Sequence, residues 1–193
     1  MKNIAISLAC FLSFLLVPII VQADQDDWQD ETIYYILVDR FMNKTNSNDF
    51  EVDINDPTAY HGGDLQGITE KLDYIKQLGF TTINLSPVMS NETNGYHGFW
   101  IEDYQSVEEH FGTMDDLRNL VNEAHNKDLK VILDFVVTHT GPNHPWATMD
   151  RDWTAGVTNN PWGNELPVPN FENPEVESYL IDAATYWMNE ADI

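Results

Sequence analysis

Residues 113–137 read TMDDLRNLVNEAHNKDLKVILDFVV, and the fold class follows from how this stretch is divided. Thr113 has the chemistry of a helix N-cap, with Asp116 three residues on, and Asp115 and Asp116 suit the positive end of a helix. Leu117, Leu120, Val121 and Ala124 then recur at i, i+3, i+4 and i+7, the spacing of one buried helix face. Leu129–Val137 follows as a strongly apolar run of strand length. A capped amphipathic helix feeding a buried strand is the repeating half of a parallel α/β fold.

The same alternation extends in both directions. Upstream, Ile33–Val38 is a continuous apolar and aromatic run that suits a strand buried on both faces. Ile68, Leu72 and Ile75 place a helix over Leu65–Leu78, with Gly79 just past its end. Thr81–Leu85 reads as a short strand closed by Ser86-Pro87, and a loop holding Gly95 and Gly98 comes next. Met42–Gly63 is rich in Asn, Asp, Thr and Gly and reads as a long loop. Downstream, residues 140–170 show no periodicity. Asn173-Pro174 then opens a helix with Val176, Leu180, Ala183, Ala184 and Trp187 on one face. Three strand–helix units in succession imply parallel strands joined by right-handed crossovers. A doubly wound sheet and a (β/α)8 barrel begin alike, and the long excursion after the third strand favours the barrel. Such barrels take about 250 residues, so this chain provides about the first three units.

Composition narrows the function classes. The 193 residues hold 32 Asp and Glu against 9 Lys and Arg, a formal net charge of -23. So few cations cannot build a surface for a phosphate backbone, which excludes nucleic acid as a partner, and an anionic membrane would repel the protein. Hydrophobic residues at 42% and aromatics at 12% require a packed core. The acidity also suits hard cations such as calcium. In residues 1–23, Lys2 is the sole charge, an apolar run from Ile4 to Val21 follows it, and Val21-Gln22-Ala23 offers small residues for cleavage. That is the pattern of a secretory signal peptide, so a secreted, extracellular protein is expected, with no membrane association after its removal. Cys10 is the only cysteine and lies within that segment, so the remainder has no disulfide to rely on.

In a parallel α/β fold the chemistry sits at the carboxyl ends of the strands. Asp39-Arg40, Tyr96-His97-Gly98-Phe99-Trp100, Asp134 and His139 occupy those positions. Singly each has a plain explanation: a structural ion pair at Asp39-Arg40, an ordinary loop histidine at His97, a strand-end cap at Asp134. Together they form a polar rim with aromatic platforms, which suits a sugar, whose edge carries hydroxyls and whose face carries C–H groups.

Four motifs carry a more specific likeness. Tyr34-Tyr-Ile-Leu-Val-Asp-Arg-Phe41, His61-Gly-Gly-Asp64, Gly95-Tyr-His-Gly-Phe-Trp100 and Asp134-Phe-Val-Val-Thr-His139 resemble, in order and spacing, those of the alpha-amylase family of glycoside hydrolases. The resemblance implies a (β/α)8 TIM barrel with residues 24–139 as its first part. It also implies a short B-like insertion at 140–172 and, at 173–193, a helix leading to a fourth strand. It implies an α-glucan substrate such as starch or maltooligosaccharides, and no obligate protein partner. His139 would hydrogen-bond the sugar on the non-reducing side of the cleaved bond, with His97 and Trp100 supporting that subsite. Phe99 stands where the family has a stacking tyrosine, so stacking remains and a hydroxyl contact is lost. Asp134 would hold loop architecture.

The resemblance further implies a calcium ion (Ca2+) in the Asn-rich loop, at Asn43, Thr45, Asn48, Asp49, Gly62 and Asp64, although an ordinary Asx-turn loop would read the same way. At a second family calcium site Thr138 and Val168 fill the ligand positions, and since valine cannot ligate, that site is expected to be lost or rebuilt. The family cleaves with retention, through a nucleophilic aspartate in a D-G-[FY]-R-x-D stretch and an acid/base glutamate. Neither can be assigned here, because the chain reaches Ile193 where the fourth strand would begin, so the polypeptide alone is expected to be inactive. A non-catalytic glucan- or calcium-binding module, and a cyclodextrin-cleaving or glucan-transferring member of the family, remain as alternatives.

Overall fold

The structure, a computed structural model, describes residues 28–149, 152–159 and 165–193. The expected signal peptide lies outside them. Trp28–Asp30 forms a single 3-10 turn in a small amino-terminal unit, and Glu31–Ile193 forms the body of the protein.

Three parallel strands make the central sheet: β1 (Ile33–Ile36), β2 (Thr82–Leu85) and, two strands later in the chain, a third at Lys130–Leu133. The one-turn helix α1 (Val38–Phe41) follows β1, and α2 (Leu65–Gln77) links β1 to β2. Between β2 and the third sheet strand lie a hairpin, β3 (Met89–Asn91) and β4 (Ile101–Val107), and the helix α3 (Met114–His125). The third sheet strand is therefore β5. A second hairpin, β6 (Thr154–Asn159) with β7 (Glu165–Pro169), precedes α4 (Pro174–Ala191). The sheet order β1-β2-β5, with helices α2 and α3 between successive strands, is the opening of a (β/α)8 barrel.

The helices form where the sequence places them. Thr113 and Asp116 make a full capping box, each side chain taking the other's backbone N–H. Asp64 caps α2 by accepting from Gly67 N, and Pro174 occupies the first turn of α4 after the Asn173 cap. The apolar faces bury Ile68, Leu72 and Ile75 of α2 and Leu117, Leu120, Val121 and Ala124 of α3. Val176, Leu180, Ala183 and Trp187 of α4 join the same core. Trp187 Nε1 donates to Tyr104 O at 2.6 Å, tying α4 to β4.

Three expectations need correction. The run Ile33–Val38 is not buried on both faces: Ile33 and Tyr35 are 48% and 50% exposed, while Ile36 is buried on the helix side. Among the described residues no layer covers the other side of this edge strand. The strand at Leu129–Val137 is shorter than its apolar run, ending at Leu133. The register pairs Leu133 with Leu85 and Leu85 with Ile36, where β1 stops, so after the bond from Asp134 N to Leu85 O the strand has no ladder to extend over residues 135–137. Finally, the stretches read as structureless hold the two hairpins. Both have shifted registers, β3–β4 around Ser90 and β6–β7 between Thr154 and Val157. Such irregularity erases the two-residue alternation that marks a strand.

Candidate glucan-binding site and cation loop

The carboxyl ends of β1, β2 and β5 gather the rim. Asp39 is buried in α1 immediately after β1 and accepts from His61 N at 2.9 Å and Gly62 N at 3.2 Å, while Arg40 pairs with it. Burial pushes the Asp39 carboxyl up, against the pull of those donors and Arg40. Arg40 also donates to Pro57 O and Ala59 O and lies 3.9 Å from the centre of the Tyr96 ring. The Asp39-Arg40 pair is thus a structural clasp that fixes three loops.

The structure brings His97, Phe99 and His139 together. His97 Nδ1 accepts from Phe99 N at 3.0 Å, and His139 hydrogen-bonds the backbone of the same residue. One main chain therefore spaces the two imidazoles. Gly98, between them, has φ +86°, and a Cβ there would fall 2.2 Å from Pro87 O, so the turn can carry only glycine. Desolvation lowers the His97 pKa to about 4, helped by His139 and Arg40, and it lowers that of His139 too. Both rings are neutral at pH 7, and with its Nδ1 accepting from Phe99 N, His97 carries its proton on Nε2 as a donor, which suits a hydroxyl ligand. Trp100 packs edge-on to His97 with centroids 4.8 Å apart. With Asp56, Thr58, Asn94, Tyr96 and His97 it lines a cavity of about 420 Å³. Phe99 and His139 line a second, of about 360 Å³, together with Asp134. Asp134 accepts the Tyr35 hydroxyl and raises that phenol to about 12, behind the larger effect of burial. Asp56, Thr58 and Asn94 were not singled out by sequence; they sit in ordinary turn segments and reach the cavity only through tertiary folding.

The Asn-rich loop folds around Asp64. Its Oδ2 accepts from Lys44 N and Thr45 N, both at 2.9 Å, and its Oδ1 takes Gly67 N at 2.5 Å. Asn43 Nδ2 donates to both Asp49 oxygens at 2.8 and 2.9 Å, beside Gly62. Gly62 has φ +86°, and a Cβ there would lie 2.4 Å from Asn43 Nδ2 and 2.8 Å from Asp49 Oδ1. Asn48 is buried with its Oδ1 lacking any partner, an oxygen whose desolvation is uncompensated. The orphaned amide oxygen of Asn48 and the carboxylates of Asp49 and Asp64 are the oxygen types that a hard cation takes, although N–H groups engage both oxygens of each carboxylate in this arrangement. Among the described residues no three His, Cys, Asp or Glu side chains converge to hold a metal, so amide and carbonyl oxygens would carry much of the coordination. At the second family position, Thr138 is engaged with His139 Nδ1 at 2.9 Å and Val168 stands on β7 with a hydrocarbon side chain.

Known proteins agree with this arrangement. Residues 35–162 match the family model "Alpha amylase, catalytic domain". The chain is 39% identical to a beta/alpha-amylase of Paenibacillus polymyxa over 86% of its own length and 16% of that protein's. The crystal structure of an Anoxybacillus alpha-amylase superposes with a TM-score of 0.81 at 56% identity, over 86% of this chain and 40% of that one. The alpha-amylase of Geobacillus thermoleovorans, solved in complex with acarbose, gives 0.78 at 50% identity, over 86% and 39%. The chain thus spans less than half the length of these relatives. Its motifs, its sheet order and these likenesses agree: the chain belongs to the alpha-amylase family of glycoside hydrolases.

Proposed function

We propose that the protein carrying this chain is a secreted alpha-amylase-type enzyme that cleaves α-1,4-glucosidic bonds of starch and maltooligosaccharides with retention. The observation that carries this reading is the His97–Phe99–His139 group, two neutral imidazoles spaced by one backbone at the carboxyl end of a parallel sheet. In this reading His139 and His97 hydrogen-bond hydroxyls of the sugar on the non-reducing side of the cleaved bond. Phe99 and Trp100 stack on its faces, and the absent Phe99 hydroxyl removes one sugar contact. Asp134 holds the loop through Tyr35 and does not act on the bond.

The nucleophile and the acid/base belong to strands outside these 193 residues, since no D-G-[FY]-R-x-D stretch occurs in the sequence. Asp39 is clasped by Arg40 and two backbone amides, and Asp103 accepts from Ser106 and Gln105. Retention needs two carboxyls about 5–5.5 Å apart across the sugar, so the 193-residue chain alone binds glucan without cleaving it. Calcium belongs in the Asn43–Asp64 loop, held by Asn43, Thr45, Asn48, Asp49, Gly62 and Asp64, where it would neutralise the acidic loop and fix its shape. Residues 1–23 direct export.

The test is incubation of the protein carrying this chain, purified from its native source, with maltoheptaose and, separately, with cellohexaose, following product anomers by proton NMR. Release of α-anomers from maltoheptaose alone is expected. β-Anomers, or equal cleavage of cellohexaose, would overturn the reading. Cyclic products would move the protein to the glucan-transferring members of the family, and binding without cleavage by the protein from its native source would make it a glucan-binding module.

A further inference from the structure

A buried polar string runs behind the sugar-facing loop. Asn48 Nδ2 donates to His110 O at 2.6 Å, and His110 Nδ1 meets Glu108 Oε1 at 2.5 Å. Glu108 Oε2 accepts Asn91 N at 2.7 Å, and Asn91 Oδ1 accepts Trp100 N at 2.8 Å. None of the four supporting residues is more than 8% exposed: Asn48 8%, His110 6%, Glu108 3% and Asn91 8%. Asn48 Oδ1 and His110 Nε2, at the far end of the string, have no partner, but each link between Glu108, Asn91 and Trp100 holds its geometry strongly in a low-dielectric interior, since breaking it strands a buried polar group.

The string ends on Trp100. The β3–β4 ladder is irregular on both sides of Ser90, and the Trp100 amide goes to a side chain, Asn91 Oδ1, in place of a main-chain carbonyl. Trp100 O is taken in turn by Glu92 N at 3.0 Å. Both main-chain polar groups of the tryptophan are therefore fixed, one of them by a side chain that is itself anchored. Asn91 Nδ2 donates to Met89 O at 2.6 Å, which fixes the amide orientation and aims the oxygen at Trp100. Glu108 must accept from Asn91 N, from His110 N at 3.4 Å and from His110 Nδ1 together. Only an acceptor-only carboxylate meets that demand, since an amide would turn a donor toward one of the three.

We propose that Asn91 and Glu108 are positioning residues for Trp100, the buried pair that sets where the indole ring stands on the sugar cavity. The proposal rests on the reading of Trp100 as a glucan-contacting side chain. Neither residue lines the cavity formed by Asp56, Thr58, Ala59, Asn94, Tyr96, His97 and Trp100; both line a separate cavity of about 490 Å³, and Asn91 reaches the sugar cavity only through its bond to the Trp100 amide.

Two measurements on the protein carrying this chain test it. The first is hydrogen exchange of the Trp100 amide without ligand, which does not depend on sugar binding. Asn91→Ala is expected to speed that exchange about tenfold, the loss of one buried hydrogen bond. Glu108→Gln is expected to speed it less, and an unchanged rate in both variants would overturn the proposal. The second is a cycle of acarbose dissociation constants with Asn91→Ala, Trp100→Ala and the double variant. Asn91→Ala is expected to weaken binding about tenfold when Trp100 is present, and less than about twofold when it is already alanine. Equal losses in both backgrounds would mean a merely structural role and would also overturn the proposal. Should Asn91→Ala fail to fold, Glu108→Gln takes its place in the cycle. If Trp100→Ala alone leaves acarbose binding unchanged, the glucan reading of Trp100 fails, and with it the claim that the pair acts on the sugar site.

Discussion

Replacing Asp64 should expose how much of the fold hangs on one carboxylate. Its two oxygens accept three backbone N–H groups, from Lys44, Thr45 and Gly67, and the residue is fully buried. Asp64→Ala strands all three donors. At about 1 kcal/mol or slightly more for each, with the charge adding strength, the loss is about 3–4 kcal/mol, including the helix cap of α2. Asp64→Asn keeps one oxygen for Gly67 but turns an NH2 toward the Lys44 and Thr45 donors, and should cost about 2 kcal/mol. The assay is urea unfolding followed by tryptophan fluorescence, with EDTA present so that cation binding adds nothing. For a urea slope of about 1–3 kcal/mol/M, Asp64→Ala should lower the midpoint by about 1–4 M. A loss below about 1 kcal/mol would refute the reasoning, and so would an asparagine variant as unstable as the alanine one.

Other perturbations have equally definite outcomes. Desolvation holds His97 and His144 down at about 4. The folded state therefore binds fewer protons than the unfolded chain between about 4 and the ordinary histidine value of about 6.5. Their contribution is complete above about pH 6.5 and fades toward pH 4, by about 1–2 kcal/mol each once solvent screening is allowed for. Denaturant midpoints at a series of pH values should fall across that window, and less steeply in His97→Gln. Gly98→Ala forces a Cβ to 2.2 Å from Pro87 O at φ +86°. It should cost more than about 2 kcal/mol in thermal unfolding and weaken acarbose binding by displacing His97 and Phe99. Trp187→Phe strands Tyr104 O, the acceptor of its 2.6 Å bond, and should cost about 2 kcal/mol by the same unfolding measurement.

What could be read from sequence was what local chemistry dictates. The helices α2, α3 and α4 declare themselves by 3.6-residue apolar spacing, and α3 and α4 also by the caps at Thr113 and Asn173, because those signals lie within a few residues of the backbone groups they satisfy; the Asp64 cap of α2 is not among them, since in sequence that residue reads as a cation ligand. The hairpins did not, for two reasons. β6 exposes nearly every residue, and β7 carries Pro167 and Pro169, so neither shows the alternation of a half-buried strand. At the site, His97, Phe99 and Trp100 are contiguous and legible as one motif. The Asn91–Trp100 bond depends on an irregular register, and the Arg40–Tyr96 stack joins residues far apart in the chain. No pattern in a single sequence announces either. The orphaned Asn48 oxygen is of the same kind, since the amide that carries it is committed through Nδ2 to His110 O, far along the chain.

The central claim, that the paired imidazoles and Phe99 form the glycone side of an α-glucan site, is tested most directly by titrating acarbose into the protein carrying this chain and into its His139→Ala variant. Saturable binding that weakens about tenfold or more in the variant, the loss of one or two neutral hydrogen bonds to the sugar, is the predicted result. Equal affinity in the two proteins would contradict the account, as would the absence of binding to the unaltered one.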